Sequence, residues 1–199
     1  GNGQDPDNNL YWGWGYGIRT YFNRSKEWKL LSRLQPGYPV LERLIYQSTV
    51  SDFYLIADAY DGQAMKQCLQ DYLKALSGNI KNAITVGKER IGLNGHARLL
   101  GFVGHNGLMD IKLEESYNRT DTIQRDGIVL ACFSKSYFSP YFKAAGAYPL
   151  LWTSNLFGPE AYSLHEALSG YVRGESGPSI QSRAATIYAH YTKCSVTAA

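Results

Sequence analysis

Long apolar runs are missing from this chain. The longest, residues 128–133 and 148–152, fall far short of the roughly 20 residues that cross a bilayer, so no membrane span is expected. A surplus of one charge sign is missing too. Lys+Arg 20 against Asp+Glu 17 leaves +3, too small and too dispersed for a nucleic-acid footprint. The three cysteines, Cys68, Cys132 and Cys194, are odd in number and far apart. They fit neither a disulfide framework nor a zinc pattern, and at most one bridge can form. The glycines of residues 101–107 lack the Lys-Ser/Thr of a phosphate-binding loop, and no motif calls for a cofactor. A secretory signal is absent as well, but the polar start at residues 2–9 suits the mature end of an exported chain, which leans toward an exported or periplasmic setting over a cytoplasmic one.

What is present is ordinary globular composition: 44% apolar and 19% charged residues, Gly 20 and Pro 7. Disordered, collagen-like and coiled-coil chains are excluded on that basis, and no internal repeat is found. At 199 residues the chain suits one soluble domain with one core. The 16 tyrosines read as amphipathic rings at a core edge or groove rim. A stacking platform for sugars or bases needs a regular array of rings, which is not seen.

Residues 1–9 read as a flexible lead. Trp14, Ile18, Tyr21 and Phe22 recur at helical spacing, which predicts an amphipathic helix over 11–32. Gly13, Gly15 and Gly17 weaken its first turns, and Pro36, Gly37 and Pro39 end it. A short element follows at 41–47, so that 11–47 is an N-terminal helical segment packed on the core. Residues 53–59 form a near-continuous apolar run, the signature of a strand covered on both faces. Met65, Cys68, Leu69, Tyr72, Leu73 and Leu76 then mark one face of a helix with Gly78 at its C-terminal end. Strand followed by helix is half of a parallel crossover.

Two similar apolar runs, 99–104 and 127–133, are followed by a third at 148–153. A helix opening on Ser139-Pro140 and closing at Gly146 precedes this third run. Further helices are expected from near Pro159, with Ala161, Leu164, Leu168 and Tyr171 on one face, and from residues 176–179. Residues 83–93 suit a strand or hairpin. The alternation defines an α/β fold, a three-layer sandwich with a mostly parallel central sheet flanked by helices.

In such sheets reactive groups collect beyond the carboxyl ends of the strands. Asp58 and Asp61 close the first run, His105 the second, Cys132 the third, and Trp152, Thr153, Ser154 and Asn155 the fourth. A nucleophilic thiol needs a base, because free Cys at neutral pH is mostly thiol, and imidazole suits that task. Gly104 and Gly107 allow a sharp turn beside His105 with amides exposed to an oxyanion. The plainer alternative is a buried Cys and a satisfied loop His. Asp58 and Asp61 also suit a metal ion or phosphoryl acceptor, although no third oxygen ligand is evident. His165 and His190 sit within predicted helices as surface or edge residues, and Cys68 reads as a small buried hydrophobe.

Val103-Gly-His-Asn-Gly107 followed by Ile128-Val-Leu-Ala-Cys-Phe-Ser134 resembles the two catalytic strands of the caspase-like cysteine peptidases, which include caspases, legumain, gingipain and the bacterial CHAT domain. Residues 142–152 look like the helix and strand after the nucleophile in CHAT domains, and the resemblance covers roughly residues 50–172. It implies His105 as general base, Cys132 as nucleophile, and the amides of Gly107 and Cys132 as oxyanion donors. It also implies a peptide or protein substrate and no cofactor. Asp58, Asp61 and residues 152–155 would frame the pocket for the residue before the cleaved bond, and an acidic floor with an aromatic wall favours Lys or Arg there. The family's His-Gly is interrupted here as His105-Asn106-Gly107. A catalytically inactive module that binds peptide or a partner protein through the same groove is the alternative.

Overall fold

A computed structural model describes residues 1–158, 160–197 and 199. These gather into two compact units. One joins residues 1–63 to the stretch from residue 160 onward, and the other spans residues 64–158. The fold is mixed α/β.

The first unit is built on an antiparallel meander, β1 (Trp28–Leu34), β2 (Val40–Ser48) and β3 (Tyr54–Tyr60), paired in the order β1-β2-β3. β2 is the central strand, with Leu44, Ile45 and Tyr46 almost fully buried. Three helices complete the unit: α1 (Ile18–Phe22), α4 (Tyr162–Val172) and α5 (Gly177–Thr192). Aromatic contacts join these pieces. Phe22 meets both Tyr46 and the His165 ring, and Tyr162 stacks on Tyr191 at 4.3 Å. Glu42, 2% exposed, accepts from Trp12 Nε1 and Arg19 on one oxygen and pairs with Arg33 on the other, so the N-terminal segment is pinned to β2 by a charge-paired buried carboxylate.

The second unit holds helix α2 (Met65–Leu76), the hairpin β4 (Lys81–Val86) and β5 (Glu89–Asn94), and a parallel sheet of β6 (Leu99–Val103), β7 (Asp126–Leu130) and β8 (Tyr148–Trp152) in the order β6-β7-β8. Helix α3 (Ser134–Ala145) makes the crossover from β7 to β8. Burial on both faces of β7, where Ile128, Val129 and Leu130 are at most 1% exposed, is what the solid apolar run required. Leu69, Tyr72 and Leu73 of α2 pack with Phe102, Val129, Phe138 and Phe142 in one cluster. Gly127 must be glycine: a Cβ there would come within 2.4 Å of the Phe142 ring. Arg125, 1% exposed, is satisfied by the Gly95 carbonyl and by Asp121, which also pairs with Lys81.

Several expectations are corrected. The helix expected over 11–32 forms only at Ile18–Phe22, and Trp28–Leu34 is a strand. The regular structure of the 11–47 segment is therefore mainly strand, with one short helix. β1 has one neighbour and leaves Leu30, Leu31 and Leu34 exposed, so neither period shows in its sequence. Residues 1–9 form turns, as in the Asn2 amide bond to the Asn8 carbonyl at 3.0 Å.

The run at 53–59 is indeed a strand, but it pairs antiparallel with β2. Only five residues, 49–53, link the two. That is hairpin length, whereas a parallel neighbour needs a dozen or more. The parallel sheet consequently has three strands, with β3 outside it. Helix α3 begins at Ser134, not Ser139, and carries Pro140 in its interior. Ser134, Phe138, Phe142 and Ala145 all face inward, and that burial outweighs the cost of an interior proline. The start expected near Pro159 lies outside the described residues, and α4 runs from Tyr162.

Candidate active site

β6 and β7 lie side by side with Val103 opposite Leu130, and the Gly104 amide extends the ladder to the Leu130 carbonyl at 3.2 Å. His105 and Cys132 each stand two residues beyond that register pair. The parallel sheet thus delivers an imidazole and a thiol from equivalent positions at neighbouring strand ends, which lie about 4.8 Å apart in the pairing direction.

Each side chain has its own partner. His105 Nε2 lies 2.9 Å from Asp110 Oδ2, with both side chains more than half exposed. The Cys132 sulfur is half-buried. It accepts from the Phe157 amide at 3.5 Å and faces the Phe157 carbonyl oxygen at 3.9 Å. Among the described residues no hydrogen bond joins His105 to Cys132.

The backbone turns sharply at the thiol. β7 ends at Leu130, Phe133 adopts φ 51° and ψ 30°, and α3 starts at Ser134. A left-handed phenylalanine is strained, and here it lifts Cys132 out of the strand onto a strand-to-helix corner. The Cys132 amide makes no hydrogen bond among the described residues, so it remains available to an oxyanion. Gly107 differs. Its amide donates to the His105 carbonyl at 2.9 Å, and a Cβ at Gly107 would meet Met65 Cγ at 2.6 Å. Its place in this structure is close packing against α2, with no amide free for an oxyanion.

The residue between His105 and Gly107 is a clasp. Asn106 is fully buried; its Nδ2 donates to the Cys132 carbonyl at 2.7 Å and its Oδ1 accepts from the Leu108 amide at 3.2 Å. A second clasp holds the segment after β8. Ser134 Oγ, fully buried, bonds the Val129 carbonyl at 2.9 Å and accepts from the Thr153 amide at 2.8 Å, while Thr153 Oγ1 reaches the Ala131 carbonyl. The Phe133 and Lys135 amides donate to the Asn155 and Thr153 carbonyls, each at 2.9 Å.

The expected pocket residues divide accordingly. Trp152 packs edge-on against Phe142 at 5.6 Å, on the core side. Thr153 is engaged in the Ser134 network, while Ser154 and Asn155 are exposed. Asp58 and Asp61 belong to the first unit. Asp58 stands opposite Arg43 on β2 and forms a two-pronged pair with it at 2.6 Å on each arm. Asp61 accepts from the Gln63 amide at 2.8 Å. Among the described residues no group of three or more His, Cys, Asp or Glu side chains is placed to hold a metal ion, and none of their helices is long and apolar enough to cross a membrane.

The residues that sequence reasoning missed are Asp110, Asn106, Ser134 and Phe157. Asp110 had a signal, a carboxylate five positions after the candidate base. The others act through backbone contacts, which leave no trace in residue type.

Comparisons with family models, curated proteins and solved structures return no match.

Proposed function

We propose that residues 64–158 carry a cysteine peptidase site of the caspase-like kind, with Cys132 as nucleophile, His105 as general base and Asp110 as the group that orients the imidazole. The observation that carries this reading is the register: His105 and Cys132 leave adjacent parallel strands at matching positions, and the thiol sits on a strained corner whose own amide is free. In the reaction the sulfur bonds to the peptide carbonyl carbon while His105 takes the thiol proton. His105 returns that proton to the leaving amine as the C–N bond breaks, and water then cleaves the thioester. The reading requires the exposed His105 ring to turn from Asp110 toward the thiol. A three-layer sandwich of the caspase-like type is the architecture that goes with this reading. A preference for Lys or Arg, suggested by Asp58 and Asp61, gains nothing from Asp58, whose charge Arg43 neutralises.

A second reading is favoured by the Phe157 contact and by the engaged Gly107 amide: a non-catalytic module of the same shape that binds peptide or a partner protein. Alkylation separates the two. Under the enzyme reading, dilute iodoacetamide at mild pH labels Cys132 ahead of Cys68 and Cys194, and the preference disappears in His105→Ala. Slow labelling of Cys132 that ignores His105, together with no turnover of arginyl or aspartyl peptide probes, supports the binding module.

A further inference from the structure

The first unit brings a hydroxyl and an imidazole into hydrogen-bond contact, in residues separate from Cys132. Ser25 lies in the turn between α1 and β1, half-buried, with its Oγ 2.7 Å from His165 Nε2. The Glu27 amide donates to the same Oγ at 3.0 Å. One lone pair of the oxygen is therefore occupied by a donor, and with Nε2 unprotonated the hydroxyl donates to the imidazole. His165, expected from the sequence at the surface or edge, is instead 9% exposed on α4, with the Phe22 and Tyr21 rings at 5.3 Å and 5.4 Å. Its other nitrogen, Nδ1, is buried and makes no hydrogen bond. The Glu166 carboxylate stands 3.6 Å from it, one small side-chain adjustment from closing the third link.

Hydroxyl, imidazole and carboxylate in line are the arrangement by which a serine is activated. The flanking groups fit that use. Burial favours the neutral imidazole, the form that accepts a proton. Glu27 is held by Arg173 and Ser169, and Glu166 also touches Arg183, so neither carboxylate is drawn onto the hydroxyl. The Lys26 amide, next in the chain after Ser25, makes no hydrogen bond among the described residues and supplies one donor for an oxyanion.

We infer that Ser25, His165 and Glu166 form a serine-type acyl-transfer site that takes small carboxylic esters. Ser25 Oγ bonds to the ester carbonyl carbon and passes its proton to His165 Nε2. The C–O bond to the alcohol breaks, and the alcohol leaves with that proton. Water, deprotonated by the same nitrogen, then releases the acid and restores the hydroxyl.

The test is a fluorophosphonate probe on the full chain, with the adduct located by peptide mass spectrometry. The probe forms an Oγ–P bond and expels fluoride. The expected result is an adduct on Ser25 in the wild type that falls at least about tenfold in His165→Gln, together with hydrolysis of 4-nitrophenyl acetate that Ser25→Ala abolishes. Because His165→Gln disturbs packing, Ser25→Cys gives a second measure: its new thiol is expected to alkylate at least about tenfold faster than Cys194 at pH 6. No adduct on Ser25, an adduct on Cys132 alone, or a Ser25→Cys thiol no faster than Cys194 overturns the inference; an adduct on Cys132 alone would at the same time favour the peptidase reading, and the other two outcomes leave that reading untouched.

Discussion

The Asn106 side-chain amide donates to the Cys132 carbonyl from within the protein, so the loop that carries the candidate base and the loop that carries the candidate nucleophile are held by one carboxamide. Replacing it leaves a half-buried carbonyl without this donor and the turn at Gly107–Met109 uncapped. Asn106→Ala is expected to cost about 2 kcal/mol in urea unfolding and to erase the selective alkylation of Cys132. Wild-type stability in that variant would show that the clasp is redundant.

His105 and Asp110 predict a graded response. His105→Ala is expected to slow Cys132 alkylation by about a hundredfold. Asp110→Asn, which keeps the shape but removes the charge from an exposed pair, is expected to cost far less. Equal losses in the two variants would move Asp110 from orienting the ring to a more direct part.

Ser134 predicts the reverse sign for thiol access. Ser134→Ala removes the hydroxyl that holds Thr153 and, through that strand end, the segment carrying Phe157. Stability is expected to fall by about 2 kcal/mol, while the Cys132 alkylation rate rises because the backbone over the sulfur is loosened. A fall in both would identify the segment as a support of the thiol.

Asp121 is the charge partner of a guanidinium sealed from water, and Arg125 with Lys81 holds its carboxyl well below the usual range. Asp121→Ala leaves Arg125 buried without a counter-charge and is expected to destabilise by about 3 kcal/mol in chemical denaturation.

Acid acts on the first unit through His165. Burial lowers its proton affinity below the ordinary value of 6.5, against a smaller opposing pull from Glu166 and Glu27. The unfolded chain therefore takes up the proton first. The contribution is complete above pH 6.5 and is lost as pH falls through the lower folded value. Glu27, held down at about 2 first by Arg173 and then by Ser169, gives way in a separate window, between 4.5 and about 2. Urea midpoints taken from pH 8 to pH 5 should decline in the wild type and flatten in His165→Gln.

The parts of the fold that were legible in the sequence are those where burial and period agree. β6, β7, β8 and the inward face of α2 are written in solid apolar runs or in clean helical spacing, and both candidate reactive residues follow from the strand ends. β1 was illegible because an edge strand with exposed leucines carries no period-two signal. β3 misled through composition: Tyr54–Tyr60 is apolar enough for a parallel strand, and only the short link to β2 reveals the hairpin. The Ser139-Pro140 pair is a true start signal elsewhere, but here the Ser134–Phe138–Phe142 face decides. At the site, residue type located His105 and Cys132, but it could not show that Phe157 meets the sulfur or that Asn106 bridges the loops, since those contacts run through main-chain atoms.

The interruption of the first unit has a consequence for biosynthesis. Its meander is made first, yet the helices that supply His165, Tyr162 and Ser169 to it follow only after residues 64–158 have been translated. At ribosomal speeds this is a delay of roughly 5–20 s. Throughout it Phe22 waits without the His165 ring of α4, while the residues of the guest segment are contiguous and complete. The nascent host is thus the half in need of chaperone cover, and the guest is the half that matures first.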